Sequence, residues 1–178
     1  MTMVEQPVLD RKTFTRLAAM IYDLAGITLS DRKETLVAAR IGKRMRQLGL
    51  GSYAEYLAHM EADTTGQEVV ELLNAISTNT THFFRESRHF TVLNETVRRW
   101  TGEGRTRFRV WCAAASTGEE PYTIAMTMLD ALEAGADFKL LATDISTRVL
   151  DRARRGVYSA RQVEPIDPEL RRRYFRRE

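Results

Sequence analysis

Arg107-Phe108-Arg109-Val110-Trp111-Cys112-Ala113-Ala114-Ala115-Ser116-Thr117-Gly118-Glu119-Glu120-Pro121 is the stretch that decides the fold of this chain. Phe108, Val110, Trp111 and Cys112 make a short apolar run with strand tendency. Small residues follow from Ala113 to Gly118, and a helix then starts. Glu119 and Glu120 suit the positive end of its dipole, and Pro121 suits its first turn. Strand, small-residue turn and helix start form the first half of a nucleotide-binding βαβ unit. In such units small side chains let a ligand approach the backbone at the carboxyl end of the strand.

The glycine pattern excludes one ligand class. A dinucleotide fingerprint needs three spaced glycines around a pyrophosphate. Only Gly118 is present, and two acids stand where a phosphate would be repelled. A ligand bearing positive charge or hydroxyls fits better, and an adenosine cofactor joined to an amino acid, such as S-adenosylmethionine, has both. An ordinary strand–helix corner without a ligand accounts for this stretch equally well.

At 178 residues, with 43% hydrophobic and 29% charged side chains, the composition is that of one medium or two small globular domains. No apolar run approaches the length of a membrane span, so no membrane insertion is expected. Met1 to Gln6 lacks the basic-then-apolar pattern of a secretory leader. Cys112 is the single cysteine, which rules out an internal disulfide and points to a reducing, cytoplasmic setting. His59, His82 and His89 have no metal-ligand spacing, so no metal is expected. The net charge of +3 is concentrated: ten arginines face five acids between Arg148 and Glu178. Such a surface suits nucleic acid, lipid headgroups or an acidic protein. Nucleic acid is disfavoured because no binding motif is present and aromatics do not interleave the arginines.

Upstream, periodicity predicts four helices. The first spans 11–25, capped by Asp10 and stopped by Gly26, with Phe14, Leu17, Ala18, Ile21 and Leu24 inward. The second runs from Asp31 to Leu48, with Ser30 as cap and Leu36, Val37, Ile41, Met45 and Leu48 as its stripe. Its other face carries Lys33, Arg40, Lys43, Arg44 and Arg46, either a solvated face or a docking face for an acidic partner. Ser52 to Glu55 and Thr65 to Glu68 read as capping boxes opening the third and fourth helices. Ser77 to Arg85 reads as a loop whose hydroxyls and Arg85 suit a ligand, Arg85 as a carboxylate clamp. A helix from Glu86 to Trp100 and a polar linker lead to the organising strand. Beyond it come a helix over 119–134 and a strand over 139–145 with Asp144 at its carboxyl end, where an acid can bond ribose hydroxyls. Another helix runs from Ser146 to Gly156. A final one starts at Asp167-Pro168, with Leu170, Tyr174 and Phe175 on one side, and the sequence stops inside it.

Asn79-Thr80-Thr81-His82-Phe83-Phe84-Arg85, Ala113-Ala114-Ala115-Ser116-Thr117-Gly118-Glu119-Glu120-Pro121-Tyr122 and Thr143-Asp144-Ile145 resemble the bacterial chemotaxis receptor methyltransferases. The similarity runs in order over essentially the whole chain. It implies an α+β protein: an all-α N-terminal domain over 1–76, a cofactor-contacting loop, helix and linker over 77–106, and over 107–178 the first part of a class I, Rossmann-like S-adenosylmethionine-binding domain. It implies γ-methyl ester formation on glutamates in the cytoplasmic domain of chemotaxis receptors, with S-adenosylhomocysteine as product. Asn79, Thr81 and Arg85 match cofactor-contacting positions, with Ala113 and Gly118 in the turn. Glu119 matches an acid near the cofactor amino group, and Asp144 the acid that holds the ribose. Arg40, Lys43, Arg44 and Arg46 match the face laid against receptor helices. An active-site arginine matches Arg98 or Arg99; no catalytic residue is assigned.

Family members continue past this length, and only two strands are evident here where such a sheet has about five or six. Leu140, Leu141, Leu170, Tyr174 and Phe175 are therefore expected to lie partly uncovered. The chain is expected to self-associate or to have a loose C-terminal half. A non-catalytic receptor- or partner-binding module of the same ancestry is the alternative to an enzyme.

Overall fold

A computed structural model describes residues 7–177. The N-terminal residues read above for a leader, Met1 to Gln6, lie outside the described residues. The chain divides into two compact units, the first ending at Thr78 and the second beginning at Asn79.

The first unit is helical. Helix α1 (Arg11–Ala25) starts where the Asp10 carboxylate accepts the Thr13 N–H at 3.0 Å, and ends at Gly26, whose φ of 67° is left-handed. The expected second helix begins as a 3₁₀ turn (Asp31–Lys33) and becomes α2 (Glu34–Leu48). Helices α3 (Tyr53–Ala62) and α4 (Gln67–Ile76) follow. Phe14, Leu17, Ile21, Val37, Ile41, Met45, Tyr56 and Leu72 form the core. Leu24 and Leu36, expected inward, are exposed: each lies at the edge of its stripe.

Both capping boxes are corrected. Ser52 caps α3 by accepting the Glu55 N–H at 3.2 Å, but the Glu55 carboxylate takes the Gly51 N–H, one residue before the cap. At α4 the cap is Gly66, and Asp63 reaches across the turn to accept the Thr65 and Glu68 N–H groups. Glu68 itself turns inward and is buried. Arg44 donates to it through Nε at 3.0 and 3.1 Å and Nη2 at 2.6 Å, and the Tyr56 hydroxyl donates at 2.8 Å.

In the second unit α5 (Ser87–Gly102) precedes β1 (Arg107–Cys112), α6 (Glu119–Ala131) and β2 (Asp137–Ala142). Helix α6 stops three residues short of the expected end, and β2 starts and stops earlier than read, leaving Asp144 two residues beyond it. The strands are parallel, with Phe108 opposite Phe138, Val110 opposite Leu140 and Cys112 opposite Ala142. Side chains alternate across a strand. One face of the sheet therefore packs Phe108, Cys112 and partly buried Leu140 against Val97, Ile124 and Met128 of α5 and α6. The other face carries Trp111 and its partner Leu141, which are 67% and 61% exposed.

Helices α7 (Thr147–Arg155), α8 (Ala160–Val163) and α9 (Pro168–Tyr174) complete the described residues. Helix α8 was not foreseen, and α9 ends before the sequence does. Leu170, Tyr174 and Phe175 are partly covered: they pack against buried Phe83, Met126 and Ile166 in a second small core. Of the five apolar residues expected to be uncovered, only Leu141 is among the exposed ones, joined there by Trp111.

Candidate functional site

The turn after β1 carries the site. Ala113 and Ala114 are exposed, and Ala115, Ser116, Gly118 and Glu119 are buried behind them. Ser116 has φ 48° and Gly118 φ 100°. A left-handed conformation at a residue with a Cβ costs about 1–2 kcal/mol, so Ser116 is held there by its partners. Its N–H donates to one Asp144 carboxylate oxygen at 2.8 Å, and its hydroxyl donates to the Asn79 carbonyl at 3.1 Å. The other Asp144 oxygen accepts the Ser146 N–H at 2.9 Å. One serine thus joins the loop after Thr78, the turn after β1 and the end of β2. Sequence reasoning passed over Ser116, and only its place among the small residues of the turn marked it.

The 79–85 segment is a loop, as read. Phe83 anchors it by packing edge-to-face with Tyr158 and Phe175. The Phe84 N–H donates to the Thr123 hydroxyl at 3.2 Å. Phe84 and Glu86 have φ of 54° and 55°, so with Ser116 all three non-glycine residues in this conformation among those described flank the site. Arg85 is exposed; its backbone N–H donates to the His82 carbonyl at 3.3 Å, and its guanidinium donates to the Thr80 carbonyl at 2.9 Å. Its guanidinium keeps donors free for an anion. Thr81 is half-buried in the same loop.

Two expected residues sit differently from an open ligand-facing role. A Cβ on Gly118 would come within 2.4 Å of the Tyr158 hydroxyl and 3.0 Å of the Ala153 Cα. The glycine thus admits Tyr158 and α7. Glu119 is only 3% exposed; its carboxylate accepts from Thr117 at 2.5 Å and from Gln162 at 3.1 Å. Cys112 is buried, and burial, with the nearby Glu120 carboxylate, pushes its thiol above the ordinary range, the opposite of what a nucleophile requires. Among the described residues no group of three or more His, Cys, Asp or Glu could hold a metal, and no helix is long and apolar enough to cross a membrane.

The basic face of α2 is split. Lys43 and Arg46 are exposed. Arg44 is engaged with buried Glu68, and Arg40 donates to the carbonyls of Ile76 and Ser77 at 2.5 and 2.9 Å. Arg98 donates to Asn94 and Asp130; Arg99 is exposed.

The donor set fits an adenosyl amino-acid cofactor. Asp144 offers remaining lone pairs to hydroxyls, Arg85 suits a carboxylate, and the exposed Ala113–Ala114 backbone permits close approach. The family model described as CheR methyltransferase, SAM binding domain, matches residues 79–178, and that described as CheR methyltransferase, all-alpha domain, matches residues 12–77. A chemotaxis protein methyltransferase of Salmonella typhimurium is 44% identical over 176 residues, covering 98% of this chain and 60% of the relative. That of Escherichia coli is 43% identical over 176 residues with the same coverage. Chemotaxis protein methyltransferase 2 of Pseudomonas aeruginosa is 43% identical over 168 residues, 94% of this chain and 59% of the relative. The chain thus spans about 60% of the length of the relatives it matches.

Proposed function

We propose a function from one premise: this chain belongs to the CheR methyltransferase family. The reaction is methyl transfer from S-adenosylmethionine to glutamate side chains of chemotaxis receptors, forming γ-methyl esters and S-adenosylhomocysteine. The observation that carries this reading is the Ser116 tie, which fixes Asn79 and Asp144 beside the exposed Ala113–Ala114 backbone.

In this reading Asp144 holds the ribose hydroxyls and Arg85 the cofactor carboxylate. Asn79, Thr81 and Ala113 line the seat. Gly118 and Glu119 support it from behind: Gly118 lets Tyr158 close on the turn, and Glu119 would be the carboxylate nearest the cofactor amino group. The bound sulfonium supplies a methyl group electrophilic enough for a carboxylate to attack. A glutamate is already ionised near pH 7, so this chain has no nucleophile to activate. Its residues bind and align the reactants, the proximity contribution to rate. Receptor segments rich in glutamate meet the exposed Lys43 and Arg46 of α2, with Arg40 and Arg44 bracing that face from within. Such substrates place the reaction in the cytoplasm.

A chimera tests this. This chain replaces the matching 176-residue stretch of the Salmonella relative, and the product is incubated with receptor membranes and methyl-labelled cofactor. Base-labile label on the receptor is expected, and slower labelling in a Lys43→Glu/Arg46→Glu variant. Alkali-stable label, or none, would contradict the reading.

A further inference from the structure

The second unit contains a groove of about 890 Å³ that meets the seat described above through Tyr158 and Phe175, the rings on which Phe83 packs. Its apolar lining includes Tyr122, Met126 and Leu129 of α6, Val157, Val163 and Phe175. Leu129 and Val157 are about half exposed, well beyond what a closed core leaves open. Arg171, Arg172, Arg176 and Arg177 line the same groove. Arg171, Arg176 and Arg177 have no carboxylate partner among the described residues, and Arg172 approaches Glu169 only at 4.0 Å. Among the described residues no acid lines the groove.

Charge and shape together define the occupant. Three guanidiniums without a carboxylate partner among the described residues stand beside an apolar floor, and planar guanidinium forks match carboxylates in pairs. A purely phosphate-bearing ligand would leave the floor of Leu129, Val157 and Val163 without a partner. Tyr122, Tyr158, Tyr174 and Phe175 put rings in the lining as well, so a stacked nucleobase is the competing occupant, which the oligothymidylate comparison below separates from an acidic peptide. The volume is that of a pocket for a few side chains, not for a whole folded domain.

We propose that this groove docks an acidic segment of a partner protein, its carboxylates on Arg171, Arg176 and Arg177 and an apolar side chain on the floor. The site is a second attachment point, separate from the seat built on Ser116. It stands whether or not the methyl-transfer reading holds.

The test titrates the 178-residue chain into a fluorescein-labelled peptide of alternating glutamate and leucine, followed by anisotropy. Saturable binding that weakens with salt is expected. Affinity should fall at least tenfold when glutamines replace the glutamates, and at least tenfold in an Arg171→Glu/Arg176→Glu/Arg177→Glu variant. Leu129→Ser should weaken binding several-fold. Circular dichroism checks folding; if the triple variant is unfolded, Arg176→Glu alone, at an exposed residue, should still cost severalfold. Equal affinity for a glutamate–glycine peptide would overturn the apolar half of the proposal. Unchanged binding by the charge-reversal variants, tighter binding of oligothymidylate, or self-association of the chain through this groove would overturn it altogether.

Discussion

Replacing Gly118 with alanine should destabilise the second unit by about 3 kcal/mol. The backbone there has φ +100°, a conformation that costs a residue with a Cβ roughly 1–2 kcal/mol. The new methyl would stand 2.4 Å from the Tyr158 hydroxyl and 3.0 Å from Ala153 Cα and Cβ. Inserting a methyl into a packed site costs typically about 1–3 kcal/mol. Moving the Tyr158 ring aside also strains its 2.9 Å hydrogen bond to the Thr117 carbonyl. Both tryptophans, Trp100 and Trp111, lie in the second unit, so urea unfolding followed by tryptophan fluorescence reads that unit alone. Gly135→Ala is the internal reference: φ is +90° there and nothing lies within 4 Å, so only the backbone part, about 1–2 kcal/mol, should be lost. Adding Tyr158→Phe to Gly118→Ala removes the nearest clashing atom and should recover part of the loss. A Gly118→Ala loss no greater than that of Gly135→Ala would refute the packing argument.

Glu68→Ala should destabilise the helical unit by about 2–3 kcal/mol in urea unfolding followed by circular dichroism. Removing one partner of a fully buried pair costs roughly 3–5 kcal/mol, and the discount reflects the 22% exposure of the Arg44 side chain; an effect under 1 kcal/mol would show the network is incidental. Burial first, and the Glu68 hydrogen bond second, raise the Tyr56 phenol far above its ordinary value. The folded chain keeps a proton that the unfolded chain releases above about pH 10, so this stability is full below pH 10 and declines as pH rises beyond it, by up to about 1.4 kcal/mol per unit. Tyr56→Phe should flatten the alkaline decline; an unchanged slope would remove Tyr56 from it. The open sheet face at Trp111 and Leu141 should drive self-association, visible in sedimentation and weakened by Leu141→Lys; a monomer at all concentrations would count against it.

The helical unit was largely legible because its signals are local. Apolar residues at helical spacing and glycine stops at Gly26 and Gly49 placed both ends of α1 and the end of α2; α2 itself starts three residues later than read, after a 3₁₀ turn that the Ser30 side chain does not cap. Capping was misread where side chains had longer-range partners: Glu68 has the right spacing for a cap, but Arg44 and Tyr56 draw it into the core. The same tertiary pull split the basic face of α2, since periodicity shows which side a residue is on but not that Arg40 finds the carbonyls of Ile76 and Ser77. In the second unit the strand, turn and helix were readable from composition. The left-handed Ser116 and Phe84 were not, because such conformations are imposed by contacts with distant parts of the chain. What partly covers Phe175 and Leu170 was not readable for a related reason. Their partners, Phe83 and Met126, belong to elements far upstream.

In the proposed function the loop at Arg85 and the acid at Asp144 form the seat of the methyl donor. Equilibrium dialysis of labelled S-adenosylmethionine against this chain tests it most directly. Saturable binding is predicted, displaced by S-adenosylhomocysteine. Arg85→Ala should weaken it roughly tenfold to a hundredfold, the equivalent of a charge-assisted bond worth about 1.5–3 kcal/mol, and Asp144→Ala should weaken it comparably. Saturable binding left unchanged by both substitutions, or no saturable binding at all, would contradict the account.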